Sequence, residues 1–186
     1  FGNALFFNSL VREATALHCL TQGEAKASAH WNKRCFVVGN GIDPAPASFV
    51  RNVAPDREMK FVFIGRLAIN HKGLDLLIEG WSAFKKMLPS ARASLHLYGP
   101  DHEGGKQWLE RTVDRLNLSD SVRIGEPVYG NEKDATFSEA ALFVHSSRFE
   151  GCPMAVLEAL ARGVPCLLTP GTFMAREVAA AGAGVM

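Results

Sequence analysis

Short apolar segments alternate with amphipathic helical patterns along most of this 186-residue chain. Strands are predicted at 60–65, 93–99, 121–125, 141–147 and 164–170, and helices follow them at 73–88, 106–118, 132–140, 153–163 and 173–183. This alternation is typical of a parallel sheet covered on both faces, and right-handed crossovers distribute the helices over the two faces. The sequence therefore predicts an α/β fold with a doubly wound, Rossmann-like parallel sheet.

The beginning of the chain is predicted to belong to a different unit. It contains a helical stretch, strand-like segments at 16–21 and 34–38, and a short helical segment between them. The stretch GNGIDPAPASFVRNVAPDRE that follows is rich in Gly, Pro and Asn, which is typical of a linker. We predict that residues 1–43 are the end of an N-terminal acceptor domain, that 44–59 form a linker, and that 60–186 form a second domain.

The two ends of the sequence suggest a fragment of a longer protein. The chain begins with Phe1 where a native start would carry Met, and it stops at GAGVM. No further strand or closing helix is predicted before that end. We therefore expect the second domain to be truncated at its C-terminus.

Composition argues against several classes of protein. The net charge of +1 shows no basic excess of the kind that nucleic-acid binding requires. The apolar segments are shorter than a membrane span. Cys19, Cys35, Cys152 and Cys166 show no paired spacing, which favours reduced thiols and a cytoplasmic location.

Several motifs are absent or incomplete. The segment VVGNGIDPA resembles the start of G-x-G-x-x-G, but Pro44 occupies the third glycine position and no helical pattern follows, which favours a turn between domains. The six histidines lack metal-ligand spacing, and Asp-x-Asp and G-x-S-x-G do not occur. His145, at a predicted strand end, is interpreted as a packed residue. The sequence therefore predicts no metal site and no serine hydrolase.

Two cations lie in the loop after the first long strand. The segment FIGRLAINHKG places Arg66 and Lys72 there, with Gly65 permitting close approach to the backbone. Ligands of doubly wound sheets bind at the carboxyl ends of strands, and Arg and Lys both suit phosphate oxygens. A diphosphate site is one interpretation, and a solvated loop with two ordinary surface charges is the other.

Two glutamates flank the start of a predicted helix within HSSRFEGCPMAVLEALARGVP. Pro153 suits the first helical position, and the free N–H groups of the first turn favour a phosphate. Glu150, just outside the helix, could accept hydrogen bonds from sugar hydroxyls. Glu158 lies roughly 7.5 Å beyond Pro153 along the axis, about the reach from a diphosphate to its ribose. Alternatively, Glu150 stabilises the helix start and Glu158 lies on the surface, although its apolar neighbours favour a largely buried carboxylate, which needs partners.

Four ordered motifs together resemble the donor-binding domain of retaining glycosyltransferases with the GT-B fold. They are V-x-N-G-I-D at 38–43, G-R-L with K-G within 65–73, L-Y-G at 97–99, and R-F-E-G-x-P-x-x-x-x-E-A-x-A-x-G-x-P at 148–165. More narrowly, the chain resembles the large group 1 family, which includes enzymes of polysaccharide, glycolipid and sucrose-type synthesis.

The resemblance implies transfer of a hexose from a nucleotide-diphosphate sugar to an acceptor hydroxyl, with retention of configuration and with neither metal nor other cofactor. The acceptor would be a sugar, a polysaccharide or a lipid-linked sugar, and no nucleic acid would bind. The enzyme would be cytoplasmic or peripheral to the inner face of the membrane, which it would contact through the N-terminal domain.

The same resemblance implies roles for particular residues. Arg66 and Lys72, beside Gly65, would bind the diphosphate and stabilise its growing charge, while Glu150 would orient the sugar. The donor would further be held by the backbone of Gly151, Cys152, Pro153 and Met154, by Glu158 at the ribose and by Val128 near the base. Cys152 replaces a residue that is often Phe, Gly or Ser in the family, which leaves its contact with the sugar open.

Two other functions remain compatible with these residues. An epimerase with the same fold would use similar donor contacts, and a non-catalytic module would only bind the nucleotide sugar. Because GT-B enzymes react in a cleft between two domains, we expect the 186 residues alone to be inactive in transfer.

Overall fold

The computed structural model describes residues 2–54 and 56–186, with side chains from residue 7 onward. Phe1 and Pro55, which fall in the predicted first unit and linker, lie outside the described residues. The chain starts with α1 (Gly2–Glu13), β1 (Leu17–Cys19), α2 (Gln22–Ser28) and β2 (Cys35–Val37). Strands β1 and β2 pair in parallel as a separate two-stranded sheet.

The remaining elements build a six-stranded sheet in which every pairing is parallel. They are β3 (Met59–Ile64), α3 (Ile69–Lys72), α4 (Leu74–Met87), β4 (Ala93–Tyr98), α5 (Gly105–Arg115), β5 (Val122–Gly125), α6 (Gly130–Glu139), β6 (Ala140–His145), α7 (Met154–Ala161), β7 (Cys166–Leu168), α8 (Ala175–Ala180) and β8 (Gly184–Val185). The strand order β5-β4-β3-β6-β7-β8 confirms the predicted doubly wound sheet.

Two hydrophobic cores lie on opposite faces of this sheet. Successive residues of a strand point to opposite faces, so Phe63 packs with α4 and α5 while its neighbours Val62 and Ile64 pack with α6, α7 and α8. This division explains why the strands have nearly continuous apolar sequences. Within the part of the chain that the structure describes, no helix is long and apolar enough to cross a membrane.

Three local predictions differ from the structure. The predicted helix at 73–88 is preceded by the separate short helix α3, which is too short for a helical period to reveal. Pro153 is the residue before α7 and has extended backbone angles, so Met154 is the first helical residue. The expectation that no strand follows the last helix was wrong, because β8 pairs with β7, although two residues are too few for an alternating pattern.

Gly73, between α3 and α4, allows close packing of two loops. Its φ of 60° is left-handed, and a Cβ there would overlap the carbonyl oxygen of Ser146 in the loop after β6. We expect Gly73→Ala to lower the free energy of unfolding by about 2 kcal/mol, because both strain and overlap would oppose the native backbone.

Gly80 provides a matched control for this substitution. It lies within α4, and a Cβ there would meet nothing within 4 Å. Gly80→Ala should raise the free energy of unfolding by about 0.5–1 kcal/mol, since alanine loses less conformational entropy in a helix. Urea denaturation of both variants measures the difference, and equal stabilities would contradict the role given to Gly73.

Candidate functional site

The carboxyl ends of β3 and β6 form the point at which the sheet changes its direction of growth. From β3 the chain continues to β4 on one side, whereas β6 lies on the other side and leads to β7. Loops that leave in opposite directions open a crevice at such a point. The connection at 65–73, which includes the short helix α3, carries Arg66 and Lys72, and the loop at 146–153 carries Glu150.

Lys72 and Glu150 form an ion pair across this crevice. The Lys72 Nζ donates a hydrogen bond to Glu150 Oε2, and the two side chains are 10% and 21% exposed, respectively. Both residues were predicted from the sequence to lie at the site, but they were assigned to different parts of a ligand. Each charge therefore compensates the other at a place where an unpaired charge would be costly.

Two further side chains surround the Glu150 carboxylate. Ser147 Oγ lies 3.4 Å from Glu150 Oε2 and 3.0 Å from His145 Nε2, and His145 is only 1% exposed. The neighbouring His145 imidazole and the hydrogen bond from Lys72 lower the pKa of Glu150 to about 2, against the opposing effect of partial burial. Burial lowers the pKa of His145, so this ring is neutral at pH 7 and Lys72 supplies the positive charge.

The backbone of Glu150 is fixed from the other side by the loop after β7. The Glu150 N–H donates to the Gly171 carbonyl at 3.0 Å, and the Phe173 N–H donates to the Glu150 carbonyl at 2.9 Å. A Cβ on Gly171 would overlap the carbonyl oxygen of Arg148, so glycine permits this approach. The position of the carboxylate is thus determined by two neighbouring loops.

Contacts between the two crevice loops were not anticipated from the sequence. The Arg148 guanidinium binds both carboxylate oxygens of Asp75 at 2.8 and 2.7 Å, which lowers the pKa of that carboxyl. The Arg148 N–H donates to the His71 carbonyl at 3.0 Å, and Ser146 Oγ donates to the Lys72 carbonyl at 2.8 Å. The only sequence signal was the position of Arg148 within the R-F-E-G motif.

The other predicted residues near the crevice differ in their surroundings. Arg66 is exposed, and it makes no ion pair with residues 2–54 or 56–186. Gly65 packs closely against Gly99, and a Cβ on Gly99 would overlap the carbonyl oxygen of Gly65. Val128 is 3% exposed and belongs to the core.

The residues between Glu150 and α7 contact the first part of the chain. The Cys152 carbonyl accepts a hydrogen bond from Asn40 Nδ2 at 3.4 Å, and a Cβ on Gly151 would lie 3.6 Å from Glu24 Oε1. Helix α7 begins at Met154, directly after Pro153, so the positive end of its dipole follows the Glu150 loop in the chain. This end is suited to an anion.

Glu158 has a partner of its own on α6. Its two oxygens each accept a hydrogen bond from Lys133 Nζ at 3.0 Å, and the Glu158 side chain is 24% exposed. The Glu158 side chain is thus mostly removed from solvent, as its apolar neighbours predicted. The expectation that it needs a partner was met by Lys133, which a helical pattern alone could not identify.

The described residues contain neither a helix directly after the VVGNGIDPA segment nor a group of metal ligands. No helix begins between Val37 and Met59 in the described residues, so the VVGNGIDPA segment lacks the helix that a dinucleotide-binding turn requires. Among residues 2–54 and 56–186, no group of three or more His, Cys, Asp or Glu is placed to hold a metal ion.

The parallel sheet and the charged crevice at its switch point define a Rossmann-like ligand-binding domain. A family model described as "Glycosyl transferases group 1" matches residues 45–186. The chain therefore belongs to the group 1 glycosyl transferase family, which confirms the resemblance stated from its motifs.

Two curated proteins illustrate the similarity. The chain is 36% identical over 110 residues to the mannosylfructose-phosphate synthase of Agrobacterium fabrum (strain C58 / ATCC 33970), covering 57% of this chain and 24% of that protein. It is 32% identical over 142 residues to the poly(glycerol-phosphate) alpha-glucosyltransferase of Bacillus subtilis (strain 168), covering 76% of this chain and 19% of that protein. The matched part of the chain thus spans less than a quarter of the length of either relative.

A solved structure shows the same fold. The crystal structure of WaaG, a glycosyltransferase involved in lipopolysaccharide biosynthesis, superposes with a TM-score of 0.76 at 20% identity. The superposition covers 98% of this chain and 52% of WaaG. It supports the predicted GT-B architecture.

The titration of this site predicts how stability depends on pH. Because the folded-state pKa values of His145 and Glu150 are both lowered, the unfolded chain binds more protons as the pH falls. The free energy of unfolding should therefore decrease below about pH 6.5 through His145, and again below about pH 4.3 through Glu150.

The substitution Glu150→Gln tests the contribution of Glu150 to this pH dependence. This variant should be less stable at pH 7, but its stability should fall less between pH 5 and pH 3 than that of the wild type, as measured by urea denaturation. Asp75, whose pKa is also lowered, is present in both proteins and contributes the same pH dependence of stability to each. Parallel pH curves for the two proteins would show that Glu150 is not held ionised by its neighbours.

Proposed function

We propose that the full-length protein transfers a hexose from a nucleotide-diphosphate sugar to an acceptor hydroxyl with retention of configuration, and that this chain carries the donor site. The observation that supports this most is the Lys72–Glu150 ion pair at the switch point of a group 1 family domain. The names of the two curated relatives, a mannosylfructose-phosphate synthase and an alpha-glucosyltransferase, agree with sugar transfer.

The diphosphate would be bound by replacing one anion with another. Lys72 is compensated by Glu150, and a diphosphate that entered the crevice would compete for the same ammonium group. The exposed guanidinium of Arg66 and the N-terminus of α7 would add positive potential, with Gly65 and Gly151 leaving room beside the backbone. These groups would stabilise the negative charge that grows on the leaving diphosphate.

Glu150 would orient the donor sugar and not transfer a proton. Because its pKa is about 2, the carboxylate remains ionised at neutral pH and can accept hydrogen bonds from sugar hydroxyls. The backbone of Gly151, Cys152, Pro153 and Met154 would hold the adjoining sugar and phosphate oxygens.

The nucleoside would extend along α7. Glu158 would accept hydrogen bonds from the ribose hydroxyls, and its ion pair with Lys133 would hold the carboxylate in place. Val128 would lie near the base and contact it through main-chain atoms, because its side chain is only 3% exposed.

The acceptor would approach from the side of the first 43 residues, which we propose are the end of an acceptor domain, with 44–59 as linker and 60–186 as donor domain. Helix α2 already adjoins the Glu150 loop, because a Cβ on Gly151 would lie 3.6 Å from Glu24 Oε1, and it adjoins the loop after β7, because a Cβ on Gly23 would lie 2.7 Å from the Phe173 carbonyl oxygen. With this cleft incomplete, the 186 residues alone would not transfer sugar. The full-length enzyme would act in the cytoplasm or at the inner membrane face, on a sugar, a polysaccharide or a lipid-linked sugar.

Product analysis tests the proposed function. The full-length protein should be incubated with UDP- and GDP-linked hexoses and with sugar acceptors, and the products analysed by mass spectrometry and NMR. We expect a glycosylated acceptor whose new linkage has the anomeric configuration of the donor. An inverted linkage would contradict the retaining mechanism, and an epimerised nucleotide sugar, or binding without any product, would contradict transfer.

The two glutamates should respond differently to substitution. Glu158→Ala should weaken binding of the nucleoside diphosphate and of the nucleotide sugar about tenfold or more, because both contain the ribose. Glu150→Ala should leave nucleoside diphosphate binding intact or tighter, since it frees Lys72, and should weaken only the nucleotide sugar. Calorimetry with both ligands on both full-length variants measures these effects.

Lys133→Met is the matched control for the Glu158 variant. It breaks the Lys133–Glu158 ion pair but retains the carboxylate group, so it should affect binding less than Glu158→Ala. Equal losses of both ligands in the Glu150 and Glu158 variants, with lowered melting temperatures, would show that the glutamates are structural.

The proposed charge stabilisation also predicts independence from divalent metal ions. If Arg66, Lys72 and the start of α7 compensate the leaving diphosphate, excess chelator should leave most of the activity of the full-length enzyme in place. Initial rates with and without EDTA measure this. Complete loss of activity that manganese or magnesium restores would assign the role to a metal ion instead.

A further inference from the structure

The two oxygens of the Glu150 carboxylate differ in their hydrogen bonds to the protein. Oε2 accepts hydrogen bonds from Lys72 Nζ and from Ser147 Oγ, with His145 Nε2 behind at 3.7 Å. Oε1 accepts no hydrogen bond from the side chains described for residues 7–54 and 56–186 or from the described backbone. One oxygen is therefore anchored, and the other is available to a ligand.

The buried histidine determines the direction of the Ser147 hydrogen bond. His145 Nδ1 is buried without a partner in the described part of the chain, while Nε2 lies 3.0 Å from Ser147 Oγ. If the proton is on Nε2, this nitrogen donates to Ser147 and Nδ1 is left with only a lone pair. The opposite tautomer would bury an N–H group without an acceptor, which costs more. Ser147 then accepts from His145 and can donate its own proton to Glu150.

We propose that Ser147, oriented by His145, is a positioning residue that holds Glu150 Oε2 while a nucleotide sugar draws Lys72 towards its diphosphate. This inference rests on the proposed donor site. The Ser147 and His145 side chains are fully buried within the fold, so they do not depend on the ligand as Lys72 does. They would keep Oε1 directed at the sugar hydroxyls at the stage when the Lys72–Glu150 ion pair is weakened.

Kinetics of the full-length enzyme test this role. Ser147→Ala should lower kcat/KM for the nucleotide sugar about tenfold or more, because one hydrogen bond to a charged group is lost. The inhibition constant of the free nucleoside diphosphate should stay unchanged, because that ligand has no sugar for Glu150 to orient. His145→Gln, which retains a terminal N–H donor, should lose less than His145→Leu.

A neighbouring residue provides the control for removing a buried hydroxyl. Thr172 is buried opposite Glu150 in an isolated backbone bridge, and its Oγ1 has no partner among the described residues. Thr172→Val therefore removes a hydroxyl without touching the carboxylate, and it should retain wild-type kinetics and stability. Equal losses of nucleotide sugar and nucleoside diphosphate in Ser147→Ala, or kinetics like those of Thr172→Val, would overturn the proposal.

NMR without any ligand separates this proposal from the proposed function. We expect the His145 ring to show the Nε2–H tautomer, and the pKa of the Glu150 carboxyl to rise in Ser147→Ala. An unchanged Glu150 pKa or an Nδ1–H tautomer would overturn the positioning role even in an active enzyme. If these NMR results hold but no nucleotide sugar binds, the proposed function fails and the anchoring of Glu150 stands.

Discussion

The ion pair between Lys72 and Glu150 is the interaction on which the arrangement of the site depends, because it joins loops that follow different strands. An ion pair that is mostly removed from water contributes little net stability, since desolvation offsets most of the attraction. Removing one partner is costly, however, because the other charge then remains unpaired. Lys72 can therefore exchange the Glu150 carboxylate for another anion more easily than it can lose an anionic partner altogether.

The backbone around this pair is built to keep the two loops in contact. Gly73 stands where a side chain would overlap the Ser146 carbonyl of the Glu150 loop, and Gly171 allows the loop after β7 to approach the Arg148 carbonyl of the same loop. The Arg148–Asp75 pair and the Ser146 hydroxyl add hydrogen bonds across the same junction. A rigid frame of this kind can hold charged groups in place before a ligand arrives, which is what electrostatic stabilisation requires.

The sequence predicted the sheet well because each buried strand is a compact apolar segment and the long helices α4 and α5 have a clear period. It failed for α3 and β8, because four and two residues are too few for a pattern to repeat. Lys72 and Glu150 were predicted as site residues from their place after strands. Their pairing, and the partners Ser147, Arg148 and Lys133, could not be derived, because periodicity assigns a residue to a face and not to a distant contact.

The position of β3 in the middle of the sheet also affects how the chain reaches its native state. Strand β4 can pair with β3 as soon as α4 has formed, but β6 occupies the other edge of β3 and lies much later in the chain. Such non-local pairing slows folding. Until β6 is synthesised, β3 has an open edge that can pair with other chains. The ligand crevice is thus completed late, and an incomplete nascent chain is more exposed to aggregation than the finished protein.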